Sequence, residues 1–134
     1  MATATQNYFY ALGRRKSSTA SVRLQKGKGS ITINGKPSNE YLSESKKLIS
    51  KLNKPFAVLE IENTFDVSVK VKGGGTTGQV DAIVLGISKA FAVMNQELKP
   101  TLKKADLLGR DPREKERKKF GLRGARKQRQ FTKR

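Results

Sequence analysis

Three stretches of this sequence carry residues whose types and spacing could do chemistry, and in each the chemistry is the holding of phosphate. Arg117 to Arg134 contains nine lysines or arginines in eighteen residues and no carboxylate. A like-charge run of that length repels itself and has no reason to fold alone, but a strong reason to lie along a polyanion. Gly13-Arg14-Arg15-Lys16-Ser17-Ser18 sets three consecutive cations beside hydroxyls with no acid nearby in the chain. Such a group is costly to hold together without a counter-charge, which favours phosphate contacts over a merely solvated loop. Gly73-Gly74-Gly75-Thr76-Thr77-Gly78 follows a strand-like segment and opens a helix-like one. Bare backbone N–H groups at a helix start can receive a phosphate.

The glycine cluster formally satisfies G-x-G-x-x-G, so a dinucleotide site has to be weighed. No Val/Ile-rich strand follows the helix to complete a βαβ unit. Glu97, near the right distance for a ribose-binding acid, lies in a segment without strand character. A P-loop is opposed by Gln79-Val80 standing where Lys-Ser/Thr is required. Two compatible roles remain: a turn whose glycines permit close packing, with Thr77 capping the helix, and a phosphate cradle.

Catalysis has little to build on. The chain has no histidine and no cysteine, so common general bases, nucleophiles and soft metal ligands are missing. No catalytic residue, metal ligand or cofactor is expected, and no small-molecule substrate. No apolar run approaches the roughly 18–20 residues of a bilayer span, and the N-terminus lacks a signal-peptide layout.

The elements that must position these residues follow from periodicity. The 134 residues carry a formal net charge of +18. Residues 1–39 contribute +7, residues 40–108 only +2, and residues 109–134 contribute +9. The nearly neutral middle is where a core can form. Tyr8–Ala11 has strand character, with Gly13 and Arg14-Arg15-Lys16 read as a connection. Thr19–Leu24 alternates, with Ala20, Val22 and Leu24 on one face. Ile31 and Ile33 precede an Asn34-Gly35 turn. Leu42, Leu48, Ile49, Leu52 and Phe56 fit a helix interrupted by Pro55. Phe65, Val67, Val69 and Val71 alternate with Asp66, Ser68, Lys70 and Lys72, the clearest strand in the chain.

Val80, Ile83, Val84, Ile87, Phe91 and Met94 then mark a central core helix. Its second stripe, Ala82, Gly86 and Ala90, is small enough for close approach to a sheet. A shorter helical stretch near Gln96–Leu108 covers one end. The expected fold class is α+β, a two-layer α/β sandwich spanning residues 1–108. Residues 109–134 form a basic extension: a short helix capped at Asp111-Pro112 and running to Phe120, then a long extended tail beyond Gly121. Phe120, Phe131, Gln128 and Gln130 among its cations suit stacking on exposed bases as well as charge pairing.

At this point the motifs resemble a known family, that of small-subunit ribosomal protein S nine. The resemblance is carried by Gly13–Arg23, by the Ile31–Gly35 turn with Tyr41, and by Gly73–Gln79 with its helix. It continues through Arg110–Gly121 and ends on Ala125-Arg126-Lys127 … Gln130-Phe131-Thr132-Lys133-Arg134. It covers nearly the whole chain, with the motifs in the family's order. It implies a fold like that of ribosomal protein S five domain two, placed on the head of the small ribosomal subunit and bound to small-subunit rRNA beside neighbouring head proteins.

The rRNA-binding residues expected are Arg14, Arg15, Lys16, Arg23, Gly73, Gly74, Gly75, Thr76 and Thr77. In the extension they are Arg110, Arg113, Arg117, Lys118, Lys119, Arg123, Arg126 and Lys127. The resemblance implies that the tail threads through rRNA until its tip, Lys133 and Arg134 with Arg129 behind them, touches the anticodon stem-loop of the peptidyl-site tRNA. A terminal Lys-Arg resembles the bacterial and organellar form. The expected location is thus the small ribosomal subunit of a bacterial cytoplasm or an organelle, the plastid stroma foremost. Gly109, Phe120 and Gln128-Arg129 depart from the family's usual Thr, Tyr and Ala-Pro. A free RNA chaperone or histone-like packaging protein is the alternative that the charge alone would allow.

Overall fold

Alternation of apolar and polar side chains makes strands of the N-terminal third, and the structure, a computed structural model, describes residues 8–43, 45–61, 64–109 and 120. Strands β1 (Phe9–Arg15), β2 (Ser18–Lys26), β3 (Ile31–Ile33) and β4 (Lys36–Pro37) come first, then helices α1 (Ser38–Tyr41) and α2 (Lys46–Leu59). Strand β5 (Phe65–Lys72), helix α3 (Thr76–Met94), a 3-10 turn at Gln96–Leu98 and helix α4 (Lys99–Lys104) complete the described chain.

The strands form one five-stranded sheet in the order β1-β2-β5-β3-β4. Its pairs are antiparallel except β3 with β5, which run parallel. Asn34 extends that parallel pair past the end of β3. Its side-chain amide donates to the Val71 carbonyl (3.1 Å), and its side-chain oxygen accepts from the Val71 amide (2.9 Å). The chain is therefore mixed α+β, with the sheet faced by helices.

The core lies between the sheet and α3. Ala20, Val22, Leu24, Ile33, Val67, Val69 and Val71 point inward from the strands, and Val80, Ile83, Ile87 and Phe91 meet them from the helix. Burying each large side chain here stabilises the fold by about 1.5–3 kcal/mol. Phe91 sits at the junction, edge-on to Phe56 of α2 (5.4 Å between centroids) and to Phe65 of β5 (5.3 Å). The small-residue stripe does what its spacing predicts. A methyl group on Gly86 would lie 2.5 Å from Val22 Cγ2, and one on Gly13 would overlap the Ala82 carbonyl oxygen. The backbones of β1 and α3 thus touch. By length and composition α3 could cross a bilayer, but it is the buried core helix of this domain.

Three expectations are corrected. Gly13, Arg14 and Arg15 are not a connection: they pair in β1 with Ala20, Thr19 and Ser18, leaving a turn of Lys16 and Ser17 alone. Cross-strand pairing satisfies their backbone, and the left-handed Lys16 (φ 53°) reverses the chain. The helix expected from Leu42 to Phe56 is two elements. Leu42 ends α1, and α2 continues through Pro55 to Leu59. The lost backbone hydrogen bond and ring clash, about 3 kcal/mol in an exposed helix, are offset by burial of Pro55 with Leu52 and Phe56. Thr77 does not cap α3. The helix starts at Thr76 behind Gly75, and no side chain bonds to its first amides.

One loop is held by a single carboxylate. Asp66 Oδ1 accepts from the backbone amides of Lys28 (2.9 Å), Gly29 (3.1 Å) and Ser30 (3.0 Å), and from the Ser30 hydroxyl (3.3 Å). The amides of Ser30 and Lys28 lead in holding the Asp66 carboxyl below its usual value of 3.8. A folded-state pKa below the unfolded one means the contribution is present above pH 3.8 and is lost as pH falls through the folded value. Asp66→Asn is expected to lower the melting temperature near neutral pH and to flatten the acid limb of stability. Thermal melts of both proteins between about pH 2 and 6 check this; parallel acid limbs would contradict it.

Candidate nucleic-acid interface

The basic stretch at Gly13 and the glycine loop at Gly73, 60 residues apart in the chain, meet at one end of the domain. Strand β1 rises to the Lys16–Ser17 turn, and β5 runs antiparallel to β2 so that its last residue, Lys72, pairs with Thr19. The chain then enters the glycine loop directly beside the turn. A methyl on Gly73 would overlap the Ser17 carbonyl oxygen, and one on Gly74 would overlap the Ser18 hydroxyl. Both glycines are left-handed (φ 75° and 67°), so only glycine is relaxed at either position.

The loop is anchored by its inward carbonyl. Gly73 O accepts from the Ser18 hydroxyl (2.9 Å) and from Gln79 Nε2 (3.1 Å). Gln79 Oε1 in turn accepts from the Tyr41 hydroxyl (2.8 Å), tying α1 to the start of α3. Ser18 is buried while residues 72–77 are exposed. Nothing stands near the Cβ position of Gly75. The loop therefore presents open backbone and the uncapped start of a 19-residue helix, whose dipole favours negative charge.

Cations surround this end. Arg14 and Lys16 are exposed, as are Lys72 beside the loop and Lys54 on α2. Arg15 is half-buried: its Nε lies 3.5 Å from Asp81 Oδ2, while Lys51 Nζ lies 2.7 Å from Asp81 Oδ1. The counter-charge that sequence proximity denied to the Arg14-Arg15-Lys16 run comes from α3. Arg14, Arg15, Lys51, Lys54, Asp81 and Asp106 line an open recess of about 300 Å³ that Leu107 and Gly109 also border. Gly109 thus lies at the rim of the basic end.

The expected residues divide accordingly. Arg14, Arg15, Lys16, Gly73, Gly74, Gly75, Thr76 and Thr77 are brought together. Arg23 is not: it stands on the outer face of the sheet, with its guanidinium carbon 5.2 Å from the centre of the Tyr8 ring. Arg110, Arg113, Arg117, Lys118, Lys119, Arg123, Arg126, Lys127, Arg129, Lys133 and Arg134 lie outside the described residues, as does the helix expected over Pro112–Phe120 apart from Phe120 itself. Lys51, Lys54 and Lys72 went unrecognised in the sequence. Lys72 could have been found from its place before Gly73, but Lys51 and Lys54 sit in an ordinary charged helix and carry no such signal.

Comparison with known proteins gives the family. Residues 13–134 match the family model described as Ribosomal protein S9/S16. A protein of Malacoplasma penetrans named small ribosomal subunit protein uS9 is 51% identical over 126 residues, covering 94% of this chain and 96% of its own. The uS9 protein of Mycoplasma genitalium is 52% identical over 128 residues, again 94% of this chain and 96% of its own. The protein named uS9c from Emiliania huxleyi is 47% identical over 126 residues, with the same coverage. A match to the family model over nearly the whole chain and identities near one half leave one assignment: the chain belongs to the ribosomal protein S9 family, RNA-binding proteins of the small ribosomal subunit that serve translation.

Proposed function

We propose that this protein is a non-enzymatic structural constituent of the small ribosomal subunit that binds small-subunit rRNA in the head through its basic end. The fold named for ribosomal protein S five domain two, neighbouring head proteins as partners, and a bacterial or organellar ribosome as location belong to the same reading. The observation that carries it is the convergence of the Lys16–Ser17 turn, the glycine loop and the uncapped start of α3 on one exposed, cation-rich surface. Arg14, Lys16 and the loop amides neutralise or accept phosphates, which position RNA without reading its sequence. Residues 109–134 continue from the same end as a basic extension, and Lys133 and Arg134 at its tip contact the peptidyl-site tRNA.

Sedimentation tests the first part. The protein is expected to migrate one-to-one with the small subunit at moderately high salt. Loss of fixed stoichiometry at that salt, with sequence-tolerant binding, would instead identify a free RNA chaperone or packaging protein. Deleting Lys133 and Arg134 tests the tip separately. Subunits carrying the truncated chain are expected to assemble normally but to bind peptidyl-site tRNA roughly 10-fold more weakly, the worth of two phosphate contacts near physiological salt. Unchanged tRNA affinity in filter binding would remove the tip from the reading and leave the rest in place.

A further inference from the structure

The face of the sheet turned away from the core carries a second cluster. Tyr10 and Leu12 of β1, Ser21 and Arg23 of β2, and Ser68, Lys70 and Lys72 of β5 alternate with the core residues and so point outward. Strand register sets them in rows: Tyr10 beside Arg23 beside Ser68, Leu12 beside Ser21 beside Lys70, and Arg14 beside Thr19 beside Lys72. Tyr8 and Tyr10 are 40% and 48% exposed. The Arg23 guanidinium lies over the Tyr8 ring, and the Tyr10 hydroxyl donates to Ser21 Oγ at 3.4 Å. The carboxylate on this face, Asp66, is turned to the amides of residues 28–30.

Two exposed rings among four cations suit one class of partner better than another. A protein interface places an apolar, lysine-poor patch at its centre. Here the apolar residues are Tyr8, Tyr10 and the half-buried Leu12, with Arg14, Arg23, Lys70 and Lys72 set between and around them. Unpaired nucleotides ask for this mixture: rings and guanidinium planes for bases to stack on, and ammonium groups for the phosphates between them. Lys70 and Lys72 point the same way two residues apart, about 6.6 Å along the strand, a step comparable to that between successive phosphates of an extended strand. The row Arg14, Thr19, Lys72 borders the glycine loop, so the face is continuous with the basic end.

We propose that the open face of β1, β2 and β5 is a second RNA surface, on which an unpaired stretch of small-subunit rRNA stacks a base on Tyr10 and Arg23 while Lys70 and Lys72 hold the flanking phosphates. This rests on the rRNA-binding reading of the basic end and extends it to a different surface with a different chemistry.

The test uses the full chain and a transcript of the head domain of small-subunit rRNA, with affinity measured across a salt series. Tyr10→Thr removes the ring but keeps β-propensity, and is expected to weaken binding roughly 10-fold with little change in salt dependence. Tyr10→Phe is expected to bind like the parent. Arg23→Ala with Lys70→Ala is expected to weaken binding further and to lower the salt slope by roughly 0.7, the one phosphate contact of Lys70. All three positions are exposed, so melting temperatures should stay near that of the parent, and Lys16→Ala with Lys54→Ala serves as the basic-end reference. If the sheet-face variants bind like the parent while the reference pair loses affinity, the proposal is overturned and the basic-end reading stands. If the parent itself does not bind the transcript, both fall. Photocrosslinking of Tyr10 to a protein rather than to rRNA in reconstituted subunits would also overturn it.

Discussion

Gly13→Ala is expected to destabilise the domain by more than about 3 kcal/mol, the range that overpacking a rigid core reaches. The added methyl would overlap the Ala82 carbonyl oxygen and lie 2.6 Å from the Gly86 amide nitrogen. Both are backbone atoms of α3, so no side chain can swing aside. Relief requires β1 to lift from the helix, which would open the layer where Ala11, Val22 and Ile87 are packed. A protein of this size commonly has only about 5–15 kcal/mol of net stability, so this loss is a large share of the whole. Gly75→Ala is the control. Its φ is −92° and its Cβ position is open, so its melting temperature should match that of the parent. Chemical denaturation of both variants checks the contrast. A Gly13→Ala midpoint near that of the parent would mean that β1 and α3 are not in backbone contact.

Replacing Arg14, Lys16 and Lys54 together by alanine should weaken RNA binding on the order of 100-fold at about 0.15 M salt. Each cation that neutralises a phosphate releases about 0.9 of a counterion, so the slope of log affinity against log salt should fall by nearly 3. These three are exposed at the basic end, whereas Arg15 and Lys51 are engaged with Asp81. Removing the exposed cations relieves repulsion in a chain of net charge +18, so stability should hold or rise. Equilibrium binding at several salt concentrations separates this from a folding defect. An unchanged slope would place the RNA contacts elsewhere on the chain.

The elements were legible where their signal was local. Phe65–Lys72 alternates and α3 repeats its apolar residues at helical spacing, and both elements stand where those periods put them. The errors arose where a short-range rule met a long-range contact. Pro55 ought to end a helix, but it is buried, and packing outweighs the bond it removes. Arg14 and Arg15 read as a turn because they are basic, yet cross-strand partners hold them in β1. Thr77 is a good capping type two residues too late, since left-handed Gly73 and Gly74 bring the chain into the helix at Thr76 behind Gly75.

By themselves, the residues of this chain determined that its charge is gathered at two ends suited to a polyanion, that its middle folds as α+β, and that its motifs resemble those of a ribosomal protein family. The first two rest on composition or on spacing within a segment and the third on the resemblance of its motifs, all of which the chain carries before it folds. Only the tertiary structure decided which cations share a surface. It set Ser18 against Gly73, placed Asp81 between Arg15 and Lys51, added Lys54 and Lys72 to the basic end, and sent Arg23 to the open face of the sheet. Those pairings depend on strand register and on the closeness that Gly13 and Gly86 permit between β1 and α3. Both are outcomes of packing between distant segments, and no local pattern encodes them.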